Sequence, residues 1–311
     1  VLVALALAAR PGPAAAQPAA WHEQATEHFI IVYPPASEPQ VAVVAGRAEE
    51  VYAALSALLG TGLEPPVTVR LFPTLDAFLR ANPLATVTNG LFTRPHRSRR
   101  EIGLLVPDGP DGPDAAAYEL DDALRYELGH LLLAQLSDER LPVAFRDGLA
   151  RYLEQPGERF APGVAQLRAA WSRDGVYGWS ELTGPGADYL DPPVTQPQGL
   201  SMAHFLVDRF GLAATLDFVR ASAAAPDWRE AMALAFGRPA EQLEAEWQSW
   251  LPGYLDGGWR AHALRSADLR PAEALLARGD YAGAAAQLHG TIALLDADEP
   301  AVVARARELL V

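Results

Sequence analysis

Hydrophobic positions in the first hundred residues switch between two periods. The run His28-Phe29-Ile30-Ile31-Val32-Tyr33 is β-branched and aromatic and stops at Pro34-Pro35, which predicts a strand with a hard end. Val41, Val44, Ala48, Val51, Tyr52, Leu55, Leu58 and Leu59 then recur three and four apart, predicting a helix closed by Gly60 and Gly62. Val67 to Phe72 reads as a second strand and Thr74 to Leu79 as a short helix. After a turn at Asn89-Gly90, Ile102 to Val106 reads as a hairpin-like return strand. The Asp-Gly-Pro repeats at 108 to 113 require a surface loop.

Beyond that loop the period is helical. Tyr118 to Leu136, Val143 to Glu154, Leu200 to Phe210, Leu212 to Ala221, Trp228 to Phe236 and Ala240 to Leu251 each carry apolar residues at helical spacing. Sheet first and helices later is the order of an α+β fold: a small N-terminal mixed sheet with helices, then a mainly helical lobe, together spanning 21–260. Residues 268–311 stand apart. Ala272, Leu275 and Leu276, a Gly279-Asp280-Tyr281 break, then Ala284, Leu288, Ile292 and Leu295 predict a C-terminal helical hairpin similar to a tetratricopeptide unit.

Half of the 311 residues are hydrophobic and 21% are charged, the balance of a globular chain with a sizeable core. The net charge of −14 argues against a nucleic-acid partner, because phosphate backbones are bound by cations. There is no cysteine, so thiolate catalysis and Cys-based zinc sites are excluded, and any metal must be held by His, carboxylate or phenol. Every basic side chain is Arg; the chain has no lysine. Val1 to Ala9 is an apolar run followed by a Pro/Gly break and Ala14-Ala15-Ala16-Gln17, so residues 1–16 read as the remnant of an export signal. No later stretch reaches the ~18 continuous apolar residues of a membrane span. The expectation is an exported protein with no membrane span in its mature chain.

The segment Arg125-Tyr126-Glu127-Leu128-Gly129-His130 concentrates the chemistry. On a helix, Tyr126 and His130 are four apart and share a face, and Glu127, three before His130, lies close to it. With His in place of Tyr126 it would read His-Glu-Leu-Gly-His, the helix on which two His hold zinc and Glu activates the bound water. Here the chain resembles the peptidase MA-like (gluzincin) group of zinc metallopeptidases. That group continues with a turn of the type Leu-Pro-x-Trp-Leu-x-Glu-Gly-Leu-Ala-x-Tyr, which Leu141-Pro142-Val143-Ala144-Phe145-Arg146-Asp147-Gly148-Leu149-Ala150-Arg151-Tyr152 matches. Gln198-Gly199-Leu200-Ser201, Asp208-Arg209-Phe210-Gly211, Glu230-Ala231-Met232 to Phe236-Gly237 and Leu243-Glu244-Ala245-Glu246-Trp247 extend the likeness, which covers Trp21 to Leu251.

The resemblance implies Glu127 as catalytic base and places Tyr126, His130 and Asp147 at the three zinc-ligand positions. Two of these depart from the pattern, with Tyr126 replacing His and Asp147 replacing Glu; Ala144 also replaces Trp. A catalytic zinc takes three protein ligands, and a phenol with a pKa of about 10 must lose its proton to serve. The resemblance therefore implies an impaired site, in an exported, non-catalytic pseudo-peptidase that binds a peptide or protein along an edge strand, expected at Ile102 to Val106. A working peptidase, with zinc on His130, Asp147 and a third donor, is the other reading. In the impaired site Tyr126 would fill the volume of the missing imidazole and metal and bond Asp147, and His130 would be satisfied by Glu127 or Asp147. Elsewhere, His204 reads as facing solvent, and His22, His28, His96, His262 and His289 have no partner at metal spacing on a helix face. The basic run Arg94 to Arg100 reads as an exposed turn.

Overall fold

The computed structural model describes residues 21–64, 66–81, 93–96, 101–106, 120–187, 190–263, 269–295 and 300–311. The proposed export segment, the Asn89-Gly90 turn, the loop at 108–113 and Arg97 to Arg100 lie outside them.

The fold is α+β. The sheet contains β1 (His22–Ala25), β2 (Phe29–Tyr33), β3 (Val67–Phe72), β4 (Thr93–His96) and β5 (Glu101–Leu105), in the order β1-β2-β3-β5-β4. β2, β3 and β5 run parallel, and β1 and β4 flank them antiparallel. The parallel step from β2 to β3 is made by helix α1 (Glu38–Leu59), which ends at Gly60 in the left-handed region, φ 65°. Strand alternation then sorts the two faces. Phe29, Ile31, Val67, Val69, Leu71, Ile102 and Leu104 join the main core with α1 and α3, while Phe72 and Leu105 meet Phe78 of α2 (Leu75–Ala81) on the other side. β1 has no apolar pattern to reveal it, since all four of its residues are exposed.

One expectation about the sheet changes. Ile102 to Val106 is not an edge strand, because β5 is paired on both sides and β4 is the outer strand. Among the described residues β4 is an outer strand and lies beside α3 (Leu120–Leu136).

In the helical lobe, α4 (Val143–Glu154) is sandwiched between α3 and the 31-residue α7 (Pro192–Ser222). The two helices expected at Leu200 to Phe210 and Leu212 to Ala221 are continuous apart from a break at Gly211, whose φ of 82° and ψ of 162° are not helical. Helices α5 (Ala161–Trp171), α6 (Trp179–Leu182), α8 (Trp228–Phe236) and α9 (Ala240–Gly253) surround this pair. Phe145 of α4 sits edge-on to Trp179 and Phe218, both 5.4 Å away. Truncating such a buried ring costs about 3–5 kcal/mol. A π-helical turn, Tyr254–Gly258, leads into α10 (Trp259–Ala263).

After residue 268 the expected hairpin forms as α11 (Arg270–Ala277) and α12 (Tyr281–Leu295), joined at Gly279 with φ 79°. A third helix, α13 (Pro300–Leu309), also packs there, and Ala272, Leu288 and Ala306 make a small core of their own. The sequence expectation ended at Leu295, although Val303 and Ala306 bury one face of α13 at helical spacing. No helix among the described residues is long and apolar enough to cross a membrane.

Candidate functional site

Helices α3 and α4 bring the site residues together because each gives up side-chain volume where they touch. A Cβ on Gly129 would stand 3.6 Å from the Ala150 backbone and 3.2 Å from a Leu153 methyl. On its other side α4 meets α7 more closely still, through Gly148 and Gly199. Asp121 and Asp122 in the first turn of α3 favour the positive end of its dipole, and each accepts from an arginine, Arg47 and Arg159 respectively. α4 ends where Gln155 turns left-handed, φ 57°. The loop between the helices carries two more non-glycine residues of positive φ, Asp138 and Glu139.

Tyr126, His130 and Asp147 converge. The Tyr126 hydroxyl donates to Asp147 Oδ1, and His130 Nε2 lies 3.5 Å from the same oxygen. The Tyr126 and His130 rings meet edge to face at 4.6 Å, as residues four apart on one helix should. Glu127 is fully buried on the same helix, close enough for its charge to act on the Tyr126 hydroxyl. The phenol is therefore bonded to Asp147, and these are two of the positions that the motif resemblance assigns to metal ligands.

Two further residues complete the cluster. The Arg151 guanidinium lies over the Tyr126 ring, 4.3 Å from its centroid, and Nη1 donates to Glu154 Oε2 at 2.8 Å. Arg151 and Glu154 are both essentially fully buried. Their spacing was visible in the sequence: Arg151 is four after Asp147 and three before Glu154, so all three share a helix face. The zinc motif, which assigns no role to Arg151, drew attention away from it.

The protonation states follow from these contacts. Burial, then the Asp147 carboxylate, push the Tyr126 phenol well above its ordinary range, so it stays a hydrogen-bond donor. Burial alone would raise the Asp147 carboxyl, but the His130 hydrogen bond and the Arg151 charge outweigh it and hold it below the usual carboxylate value. For Arg151, burial is outweighed by the carboxylates of Glu154 and Asp147, which keep it a cation. Burial raises Glu154, and Arg151 offsets only part of that.

This donor set does not fit zinc. A Tyr held as a protonated phenol is not a ligand, and its hydrogen bond occupies the Asp147 oxygen that also faces His130. A buried guanidinium adjacent to the carboxylate supplies the positive charge a dication would bring, and would repel one. Among the described residues no group of three His, Asp or Glu is placed to hold a metal ion.

Three of the other histidines, His28, His204 and His262, have partners that no helix spacing could show. His28 Nδ1, in the bend before β2, lies 2.7 Å from Glu49 Oε2 of α1. His204 does not face solvent: it is 8% exposed and packs against His262, which reaches Asp208. For the basic run, the structure describes only the β4 backbone from Arg94 to His96.

No protein-family model matches the chain, and no curated protein matches it. The likeness to gluzincins rests on the motif residues themselves.

Proposed function

We propose that this protein is an exported, non-catalytic pseudo-peptidase of gluzincin type that binds a peptide or protein. The observation that carries the reading is the Tyr126 hydroxyl on Asp147, with Arg151 stacked on the Tyr126 ring: the ligand positions of the motif are bonded to one another. The motif helix and the Gly148-Leu149-Ala150 stretch persist, so the reading keeps the peptidase framework and removes the metal. An extended ligand would pair with β4, an outer strand that lies beside α3, and β-strand addition uses main-chain hydrogen bonds that need no metal. Export is proposed on the apolar run Val1 to Ala9 and the small residues at 14 to 16.

One experiment on the full chain tests this. Purified protein is analysed for zinc, then mixed with fluorescein-labelled, reduced casein peptides, with anisotropy reporting binding and gel electrophoresis reporting cleavage. The proposal expects no stoichiometric zinc, saturable binding and intact peptides. Cleavage abolished by a chelator would instead establish the working peptidase, with Glu127 as base and His130 and Asp147 as ligands. Absence of binding would remove the peptide ligand from the reading.

A further inference from the structure

A second polar cluster lies away from the α3–α4 site. The imidazoles of His204 on α7 and His262 on α10 stack face to face, with centroids 4.0 Å and planes 20° apart. His204 Nδ1 is 3.1 Å from the Tyr254 hydroxyl, and His262 Nε2 is 3.1 Å from Asp208 Oδ2. Tyr152 of α4 meets His204 edge-on at 5.7 Å. The two imidazoles, Tyr152, Phe160, Tyr254 and Trp259 line a cavity of about 20 Å³, large enough for one water-sized group.

The contact with Asp208 fixes which His262 nitrogen does what. A carboxylate only accepts, so Nε2 must carry the hydrogen, and in the neutral ring Nδ1 is then an acceptor. Nδ1 is buried and has no hydrogen-bond partner among the described residues. His262 is 8% exposed, so bulk water does not satisfy it freely. A buried acceptor left this way costs about 1–3 kcal/mol. The cavity thus offers an acceptor backed by a carboxylate and walled by aromatic faces.

We infer that this cavity is a binding site for the head of a primary alkylammonium group, whose nitrogen fills the water-sized space and donates to His262 Nδ1 while its methylenes extend out through the cavity's mouth. An anion is disfavoured, because it would meet an acceptor nitrogen with Asp208 behind it. An ammonium gains from the ring faces and from the carboxylate together. The chain has no lysine, so neither its own side chains nor those of a second copy bring an ammonium to the site. Its guanidinium groups are broader than the space available; Arg260 already lies over the Trp259 ring, 4.8 Å from its centroid. The net charge of −14 concentrates cations around the molecule. The ammonium comes either from a free amine or from a lysine of a bound peptide. The site stands without the pseudo-peptidase reading, and its test involves neither metal nor cleavage.

The full chain, labelled with 15N-histidine, is titrated with butylammonium at neutral pH and followed by NMR and calorimetry. The His262 Nδ1 resonance should shift saturably with one equivalent bound, and His262→Phe and Asp208→Asn should each weaken binding by about tenfold or more. Butanol, of the same shape without charge, should bind at least about tenfold more weakly. Equal binding of butanol, or an Nδ1 resonance unmoved at saturating butylammonium, overturns the assignment, and the second readout needs no variant to fold. Nα-acetyl-lysine methylamide separates the sources: binding comparable to butylammonium supports a peptide lysine, and binding of butylammonium alone supports a free amine. If neither amine binds, the site is not an ammonium site.

Discussion

A Cβ placed on Gly148 would lie 2.1 Å from the carbonyl oxygen of Gly199, closer than any real contact of that kind. The two glycines are where α4 and α7 cross backbone to backbone, and this crossing sets the position of Asp147 and Arg151, which flank Gly148 on α4. In the sequence both glycines appear as motif letters; in the structure they are a packing requirement.

Gly148→Ala should therefore destabilise the protein by about 1–3 kcal/mol or more, since the obstructing atom is backbone and cannot rotate away. Gly46 is the control: it is exposed within α1 and an added Cβ meets nothing within 4 Å, so Gly46→Ala should stabilise by about 0.5–1 kcal/mol. Thermal unfolding of both variants checks the pair. A Gly148→Ala protein as stable as the parent would contradict the crossing.

Tyr126→Phe removes the hydrogen bond to Asp147 while keeping the ring under Arg151. The buried carboxylate loses a donor but retains His130, so a loss of about 1–2 kcal/mol is expected in denaturant unfolding. Asp147→Ala should cost more, because it leaves the Tyr126 hydroxyl and His130 together without their acceptor. Equal effects of the two changes would mean that the network is not centred on Asp147.

Much of this was legible beforehand, and the limits have physical causes. The strand at Val67 and helix α1 follow from period, because each has one buried face; β2, α3 and α4 are buried nearly all round and show themselves by their apolar runs and length instead. The bond between Tyr126 and Asp147 was foreseeable from the helix register and the loss of the ligand His. What escaped was tertiary. The edge position of β4 depends on strand order, which spacing does not encode. The pairing of His262 with Asp208 joins helices 54 residues apart in sequence. Arg151 escaped because a motif centred on metal ligands makes no place for a cation.

The acid limb of stability should depend on Asp147. Its folded carboxyl sits below the ordinary value of 3.8, so the unfolded chain binds more protons as pH falls. The stabilisation is full above the unfolded pKa and is lost as pH falls through the lower, folded one. Between about pH 5 and pH 2, Asp147→Asn should show a shallower decline of unfolding free energy than the parent. Glu154, raised by burial, works in the opposite sense: its contribution is present in acid and fades as pH rises through its folded pKa. Unfolding curves at a series of pH values measure both slopes, and a parent and Asp147→Asn variant with identical acid limbs would refute the assignment.

Reversion tests whether the cluster is a disabled zinc centre. Tyr126→His restores an imidazole four residues from His130, and Asp147→Glu restores the reach for a bond of about 2.0–2.2 Å. Those two changes supply ligands but leave the buried Arg151 cation beside them, so the double variant should bind zinc weakly. Adding Arg151→Leu removes the repulsion. It also leaves Glu154 without its partner, a tolerable loss because burial already favours that carboxyl's neutral form. The triple variant should therefore hold stoichiometric zinc by metal analysis, and neither the parent nor a His130→Ala version of the triple should do so. Zinc at 100 times its dissociation constant would raise stability by about 2.7 kcal/mol, visible as a thermal shift that a chelator reverses. Activity need not return with the metal, since Ala144 also departs from the Trp of the motif. A folded triple variant that takes up no zinc would show that Tyr126 and Asp147 do not stand at ligand positions, and the peptidase ancestry of the site would fall with them.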